Sequence, residues 1–309
     1  MKIVFMGTPD FAASALEALI QAGHEVTAVV TQPDKPKGRS KELMPSPVKV
    51  CALKYNLPVF QPVRIKRPEA IEELKKYEAD IYVVAAFGQI LSQEILDMPK
   101  YGSVNIHASL LPKYRGASPI QHVIIDGEEK TGITIMQMDA GIDTGDMLYK
   151  KEVIIENTDN FETLHDKLAV AGAQAIVEAL PLLEAGKLTP EKQKEEESSH
   201  VTMIEKEMGR LDFTKDAVVL DRLIRGLNPW PSAFTAYKGK QLKVWEAYVE
   251  DAEVNAACGE IVEVTKREIK VCTGKGLLCI TSLQLEGKKR MSTHDFLLGV
   301  KVAPGEILG

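Results

Sequence analysis

The sequence predicts an α/β fold in which an N-terminal, doubly wound, mostly parallel sheet is followed by a C-terminal domain built as a small β-barrel. At the start of the chain, an apolar strand at 2–6, a helix-spaced segment at 11–22 and a β-branched strand at 25–31 follow one another. This β-α-β order is typical of a parallel sheet. Beyond residue 230, short alternating strands separated by turn residues predict the barrel.

The composition is that of an ordinary soluble globular protein, with 309 residues of which 45% are hydrophobic and 27% charged. The longest apolar run, residues 81–87, is too short to cross a bilayer. The opening could pass for a signal peptide, but Pro9 and Asp10 interrupt any apolar core there. We therefore expect a cytoplasmic protein with no membrane partner.

Metal and disulfide chemistry are not predicted. The four cysteines show no C-x-x-C spacing, and the six histidines are scattered. The net charge of −6 is unevenly distributed: residues 210–309 carry 15 Lys/Arg and 13 Asp/Glu, whereas residues 1–209 carry 23 and 31. A slightly basic C-terminal part permits an RNA partner without requiring one.

The alternation of strands and helices continues through the first domain. Only Gly7 stands where a dinucleotide-binding loop needs G-x-G-x-x-G, which disfavours an NAD-dependent oxidoreductase. Helices are predicted at 48–55, 68–77, 89–96, 118–126 and 161–185, and strands at 58–61, 80–87, 104–108, 132–138 and 147–155.

A long Pro- and Gly-rich loop is predicted at 32–47, and four basic residues alternate along it: Lys35, Lys37, Arg39 and Lys41. Unstructured loops of this length are usually functional or disordered. The basic residues of this loop suit contact with phosphates, although a charge run by itself more often marks a solvated surface loop.

The strand that begins at Val104 carries the strongest functional signal. Residues two apart on a strand share a face, so Asn105 and His107 present a carboxamide and an imidazole side by side. Pro112 and Gly116 then end the strand in a shaped loop. In an open α/β sheet, ligands bind where strands give way to such loops.

A carboxylate in a later loop completes the candidate site. In the segment 139–146, Gly141 and Gly145 flank Asp143 and allow the backbone to fold tightly. One helix-containing crossover separates His107 from Asp143. A parallel crossover returns the chain to the same edge of the sheet, so we expect Asn105, His107 and Asp143 to meet.

The predicted domain boundaries follow the change in composition. Residues 1–189 form the first domain, the polar segment 190–208 is a linker, and residues 209–309 form the second domain. Within it we expect a helix at 217–226 and strands at 234–237, 242–248, 260–264, 269–271 and 278–285.

Several stretches resemble the methionyl-tRNA formyltransferase family. They are MGTPDF from Met6, LMPSPVK from Leu43, NIHASLLPKYRGASPIQ from Asn105, MDAGIDTGDML from Met138 and PWPSAF from Pro229. The Asn-x-His and S-L-L-P-x-x-R-G patterns alone indicate a resemblance only to the wider superfamily of formyltransferases that use 10-formyltetrahydrofolate. The other stretches narrow the resemblance to the tRNA enzymes.

The resemblance implies a Rossmann-like formyltransferase domain, an oligonucleotide-binding-like (OB-like) barrel, and formyl transfer from 10-formyltetrahydrofolate to the methionine of initiator methionyl-tRNA. It places the catalytic residues at Asn105, His107 and Asp143. It also implies a set that binds the formyl donor, namely Phe87, Gly88, Ser109, Leu110, Leu111 and Pro112, and a set that contacts tRNA, namely Lys37, Arg39, Lys41 and Lys206. We expect a monomer that needs no metal.

These residue types suit the chemistry. An α-amino group titrates near pH ~8, so a useful fraction is already neutral, and the harder task is to stabilise the oxyanion and remove a proton. Asn105 and His107 can donate hydrogen bonds to that oxygen, while Asp143 orients the imidazole.

Two other functions fit the sequence less well. A purine-pathway formyltransferase would share Asn105, His107 and Asp143 but would not explain residues 210–309. A non-catalytic folate- or RNA-binding module would have no use for these three residues. Arg115 suits either a ligand carboxylate or a salt bridge that anchors its loop.

Overall fold

The computed structural model describes residues 1–37 and 42–309, and this part of the chain divides into two compact units. The N-terminal unit comprises Met1–Gly116, Lys130–Ile154 and His165–Val201, and the C-terminal unit comprises Ala117–Glu129, Ile155–Leu164 and Thr202–Gly309. Both units are discontinuous in sequence. The predicted domains, 1–189 and 209–309, are each continuous in sequence, and their boundaries stay a prediction.

The sheet of the N-terminal unit alternates with helices along the chain. Its elements are β1 (Lys2–Gly7), α1 (Asp10–Gln21), β2 (Glu25–Val30), β3 (Lys35–Lys37), β4 (Glu42–Met44), α2 (Pro47–Lys54), β5 (Val59–Phe60), α3 (Pro68–Leu74), β6 (Ile81–Ala85), α4 (Gln93–Leu96), β7 (Ser103–His107) and β8 (Arg115–Gly116). After α5 (Pro119–Asp126), which belongs to the C-terminal unit, come β9 (Lys130–Gln137), β10 (Met147–Ile154), α6 (Phe161–Glu184) and β11 (His200–Val201).

The main sheet has the strand order β10-β9-β7-β6-β1-β2-β5, and β5, β2, β1, β6 and β7 run parallel. This confirms the predicted parallel-dominant α/β fold. Residues of β1 and β6 are buried along their whole length apart from the half-buried Lys2, which explains why these strands read as continuous apolar runs. The predicted loop at 32–47 contains two short strands, β3 and β4, which pair antiparallel with Lys35 opposite Met44.

The direction of β9 corrects one step of the sequence argument. The approach of Asp143 to His107 was predicted from a parallel crossover, but β9 runs antiparallel to β7 and pairs Thr134 with His107. β10 then runs antiparallel to β9. The loop between β9 and β10, rather than a parallel strand, must therefore carry Asp143 back to the site.

Gly172 brings α6 close to the strand that carries the candidate site. A Cβ atom at Gly172 would lie 3.2 Å from Ile106 Cγ2, 3.3 Å from Phe11 Cζ and 3.5 Å from Ile133 Cδ1. Ile106 is buried on β7 between Asn105 and His107, on the opposite face of the strand. The glycine inside this helix is thus explained by close packing.

We expect Gly172→Leu to destabilise the protein. Overpacking against β7 exceeds the gain in helix propensity, so the free energy of unfolding should fall by about 1–2 kcal/mol, as measured by urea denaturation. Val170→Leu, on the exposed face of α6, is the control and should leave the midpoint nearly unchanged. A Gly172→Leu variant as stable as the unmodified protein would contradict this packing argument.

The C-terminal unit is built on an antiparallel sheet. Its further elements are α7 (Ala217–Gly226), β12 (Ala233–Tyr237), β13 (Lys240–Glu250), β14 (Ile261–Val264), β15 (Ile269–Cys272), β16 (Leu277–Leu285), β17 (Met291–Ser292) and α8 (Thr293–Gly299). The sheet order is β12-β13-β16-β15-β14, with β17 beside β16. This confirms the predicted separate antiparallel β-domain. Its core includes Leu220, Ile224, Val244, Ile280 and Phe296.

Residues 306–309 connect the two edges of this sheet. Leu308 N donates a hydrogen bond to Gly259 O beside β14, and Gly309 N donates to Ala236 O on β12. Among the described residues, β12 and β14 do not pair directly with each other. The last residues therefore supply a backbone connection between the two edges of the sheet.

Candidate active site

β7 positions the first two residues of the site. It lies between β6 and β9, with Val104 and Ile106 buried on one face. Asn105 is half-buried, and His107 is buried with 6% of its surface exposed. The alternation along β7 therefore places the carboxamide and the imidazole on the other face, two residues apart.

The imidazole of His107 has a defined orientation. Its Nε2 lies 2.9 Å from Tyr114 O. Because a carbonyl oxygen only accepts hydrogen bonds, Nε2 carries the proton and donates it. Nδ1 lies 3.6 Å from Asp143 Oδ2, which is within ion-pair range but longer than an ordinary hydrogen bond. The structure thus brings together His107 and Asp143, with Nδ1 facing the carboxylate.

The backbone around Asp143 holds its carboxylate at this place. Oδ2 accepts a hydrogen bond of 2.8 Å from Gly116 N. Asp143 itself has φ of 55°, a left-handed conformation that is uncommon for residues other than glycine. Close to it, a Cβ atom at Gly145 would lie 1.7 Å from Gln137 O, so no side chain fits there. The tight fold expected from these glycines is present.

Comparisons with known proteins bear on what this arrangement does. Residues 1–180 match the family described as formyl transferase, and residues 203–301 match the formyl transferase C-terminal domain. The methionyl-tRNA formyltransferase of Agathobacter rectalis is 53% identical over 305 residues, covering 99% of this chain and 98% of that protein. That of Bacillus subtilis is 50% identical over 309 residues, covering 100% of this chain and 98% of that protein. The chain belongs to the methionyl-tRNA formyltransferase family.

Solved structures share the fold of this formyltransferase at low identity. HypX from Aquifex aeolicus in complex with tetrahydrofolic acid is similar with a TM-score of 0.66 and 20% identity over 98% of this chain, which spans 49% of that chain. The methionyl-tRNA formyltransferase from Clostridium thermocellum gives a TM-score of 0.54 and 20% identity, covering 83% of this chain and 97% of that chain. These similarities support the fold.

In this member of the family, the loop after β7 is held by hydrogen bonds of Ser109 within the loop and of Thr134 on β9. Ser109 Oγ donates to Lys113 O at 2.7 Å, and Thr134 Oγ1 donates to Ser109 O at 2.7 Å while accepting from Leu111 N at 3.1 Å. Ser109 and Leu111 are buried, whereas Leu110 and Pro112 are partly exposed. Of the four residues predicted to bind the formyl donor here, only Leu110 and Pro112 therefore present side-chain surface.

Phe87 and Gly88 lie in the loop that follows β6, the parallel neighbour of β7. The Phe87 side chain is buried in the core, and its carbonyl accepts hydrogen bonds from Thr8 Oγ1 at 3.1 Å and Gln32 Nε2 at 3.2 Å. Gly88 is exposed with φ of 79°. This loop can offer backbone groups to a ligand, whereas the phenyl ring is buried in the core.

The residues predicted to contact tRNA are only partly described. Lys37 ends β3, while Arg39 and Lys41 lie outside the described residues. Lys206 is exposed at the start of a short 3-10 helix, Lys206–Gly209, in the C-terminal unit.

Arg115 and its partners were not assigned from the sequence. Arg115 is only 2% exposed; its Nη1 donates to Glu195 Oε2 at 2.8 Å and its Nε donates to Gln193 Oε1 at 2.9 Å. The hydrogen bond from Arg115 is the first cause that holds the pKa of Glu195 below its ordinary value. Of the two roles left open for Arg115, the structure shows the anchoring salt bridge.

Neither a metal centre nor a membrane-spanning helix is found among the described residues. Across residues 1–37 and 42–309, no group of His, Cys, Asp and Glu side chains is placed to hold a metal ion. In the same ranges, no helix is long and apolar enough to span a membrane.

Proposed function

We propose that this chain transfers the formyl group of 10-formyltetrahydrofolate to the α-amino group of methionine carried by initiator tRNA. The observation that carries the proposal is the His107–Asp143 pair at 3.6 Å beside Asn105, in a chain whose relatives of about equal length are methionyl-tRNA formyltransferases. 10-Formyltetrahydrofolate acts as a co-substrate, held by the loops at Phe87–Gly88 and Ser109–Pro112.

In this reaction the neutral amine of methionine attacks the formyl carbon. A bond forms between that nitrogen and the carbon, the bond from the carbon to N10 of the folate breaks, and the amine proton ends on N10. The formyl oxygen becomes negative in between. Catalysis therefore needs donors aimed at this oxygen and a group that moves the proton.

The residues of the site divide these tasks. Asn105 donates an amide N–H to the oxygen, and His107 turns Nδ1 toward the same space because Nε2 is engaged by Tyr114 O. The carboxylate of Asp143 faces Nδ1 and balances the positive charge of the ring when it is protonated. It also takes up the proton of the amine through a water molecule before that proton passes to N10.

A substrate comparison tests the proposal. The purified protein is incubated with 10-formyltetrahydrofolate and with charged initiator tRNA, charged elongator tRNA or a glycinamide ribonucleotide, and formylated amine is measured. We expect formylmethionyl-tRNA from the initiator tRNA alone. Product from the glycinamide ribonucleotide without formylation of methionyl-tRNA would show the purine-pathway activity instead.

Arg39 gives a separate test of the tRNA-binding arm implied by the family resemblance. Arg39→Ala removes hydrogen bonds from a charged donor to phosphate, so kcat/KM for tRNA should fall by about tenfold to a hundredfold. The KM for 10-formyltetrahydrofolate should not change. Lys66→Ala, at an exposed basic position, is the matched control. Unchanged kinetics with tRNA in Arg39→Ala would exclude this role.

A further inference from the structure

Gln193 lies directly against the turn that carries Asp143. Its side-chain Nε2 donates hydrogen bonds to Asp143 O and to Gly145 O, both at 2.8 Å. Gln193 belongs to the polar segment 190–208 that the sequence predicted to be a linker, and residues 190–201 of this segment fall in the N-terminal unit. One amide group thus binds two carbonyls of the turn that aims the carboxylate at His107.

Arg115 determines which end of the Gln193 amide faces the turn. Arg115 Nε contacts Gln193 Oε1 at 2.9 Å. A guanidinium has only donors, so it requires the oxygen on its own side and leaves the NH2 group facing the two carbonyls. Because Arg115 is buried and also paired with Glu195, this orientation is fixed within the fold.

The same segment holds the group that orients His107. Ser199 Oγ accepts a hydrogen bond of 2.8 Å from Tyr114 N, and Ser199 O accepts one of 2.8 Å from Arg115 N. Tyr114 O in turn accepts from His107 Nε2. Residues 193–199 therefore form hydrogen bonds to the backbone next to both His107 and Asp143: to Tyr114, which orients His107, and to the turn that carries Asp143.

We propose that Gln193 is a positioning residue for Asp143, an inference that rests on the proposed formyl transfer. Asp143 has a left-handed backbone conformation, which is uncommon outside glycine even though Asp adopts it more often than most residues, so hydrogen bonds to the turn help to hold it. The two hydrogen bonds from Gln193 supply it. Gln193 touches no reacting atom; it acts by keeping the carboxylate at its distance from Nδ1.

Gln193→Leu and Gln193→Glu test the proposal with formylmethionyl-tRNA as the measured product. Both changes remove the N–H donors; the glutamate keeps the size and the contact to Arg115. Because a displacement of about 1 Å can cost about 10²-fold in rate, we expect kcat to fall by about tenfold to a hundredfold. The KM values for tRNA and for 10-formyltetrahydrofolate should change little.

A double-mutant cycle separates positioning from a general structural effect. If Gln193 acts through Asp143, then Gln193→Leu should lower kcat little further when Asp143→Asn is already present. An equal loss in both backgrounds would overturn the proposal. Gln137→Leu is the matched control, since the Gln137 amide also donates to two backbone carbonyls, Ser103 O and Tyr101 O; its kcat should remain at the wild-type level.

The activity of the wild-type protein separates failure of the proposed function from failure of the positioning role of Gln193. Wild-type protein that does not formylate methionyl-tRNA overturns the proposed function, and with it the role of Gln193. Wild-type activity together with full kcat in folded Gln193→Glu overturns the positioning role alone. Circular dichroism and thermal unfolding establish that each variant is folded.

Discussion

Replacing His107 with alanine is expected to lower kcat by about 10³–10⁴-fold, because the change removes a charged donor to the formyl oxygen and also the ring that Asp143 orients. The affinity for charged tRNA should be unaffected, since the ring is buried on β7 and 6% exposed. Single-turnover formylation at saturating substrates and filter binding of the tRNA measure the two quantities.

A second histidine provides the control for this variant. His24 lies beside β2 in the same unit and has no place in the proposed mechanism. His24→Ala should keep the turnover of the unmodified enzyme. If His107→Ala instead lost tRNA affinity in proportion to its turnover, the imidazole would be a binding group rather than a catalytic one.

Asp143→Asn is expected to lower kcat by about 10²–10⁴-fold. The asparagine oxygen can still accept the hydrogen bond from Gly116 N, so the turn should keep its shape while the negative charge opposite Nδ1 is lost. The measured quantity is again the single-turnover rate, with tRNA affinity as the reference.

The same loop offers a matched control for the charge. Asp139 Oδ1 accepts hydrogen bonds from Gly141 N and Thr144 Oγ1, within the loop. Asp139→Asn removes a charge a few residues away without changing the group that faces His107, and its rate should stay near that of the unmodified enzyme. Equal losses in the two variants would point to the conformation of the loop instead of the carboxylate of Asp143.

The short-range geometry of the candidate site could be predicted from the local sequence pattern, because it depends on short spacings. Asn105 and His107 share a strand face by alternation alone. The glycines around Asp143 predicted a tight turn, and the lack of space at Gly145 agrees with that expectation. The formyltransferase motifs predicted the family to which the chain belongs.

Strand direction and contacts between residues far apart in the chain could not be predicted from the sequence. Alternation of apolar residues marks β9 as a strand but does not encode its direction, so the antiparallel pairing with β7 was missed. The polar composition of residues 190–199 indicated a solvent-exposed linker. Their contacts could not be predicted, because Arg115, the partner of Gln193 and Glu195, is distant in sequence. Only the fold shows that Arg115 is buried between them.

A structure of the enzyme with charged initiator tRNA and a non-transferable 10-formyl folate analogue would show where the reacting carbon lies. We expect the formyl carbon to lie about 3–3.5 Å from the methionine nitrogen. We also expect the formyl oxygen to face the Asn105 amide and His107 Nδ1. A formyl group bound away from these side chains, with Asp143 turned from His107, would contradict the proposed mechanism.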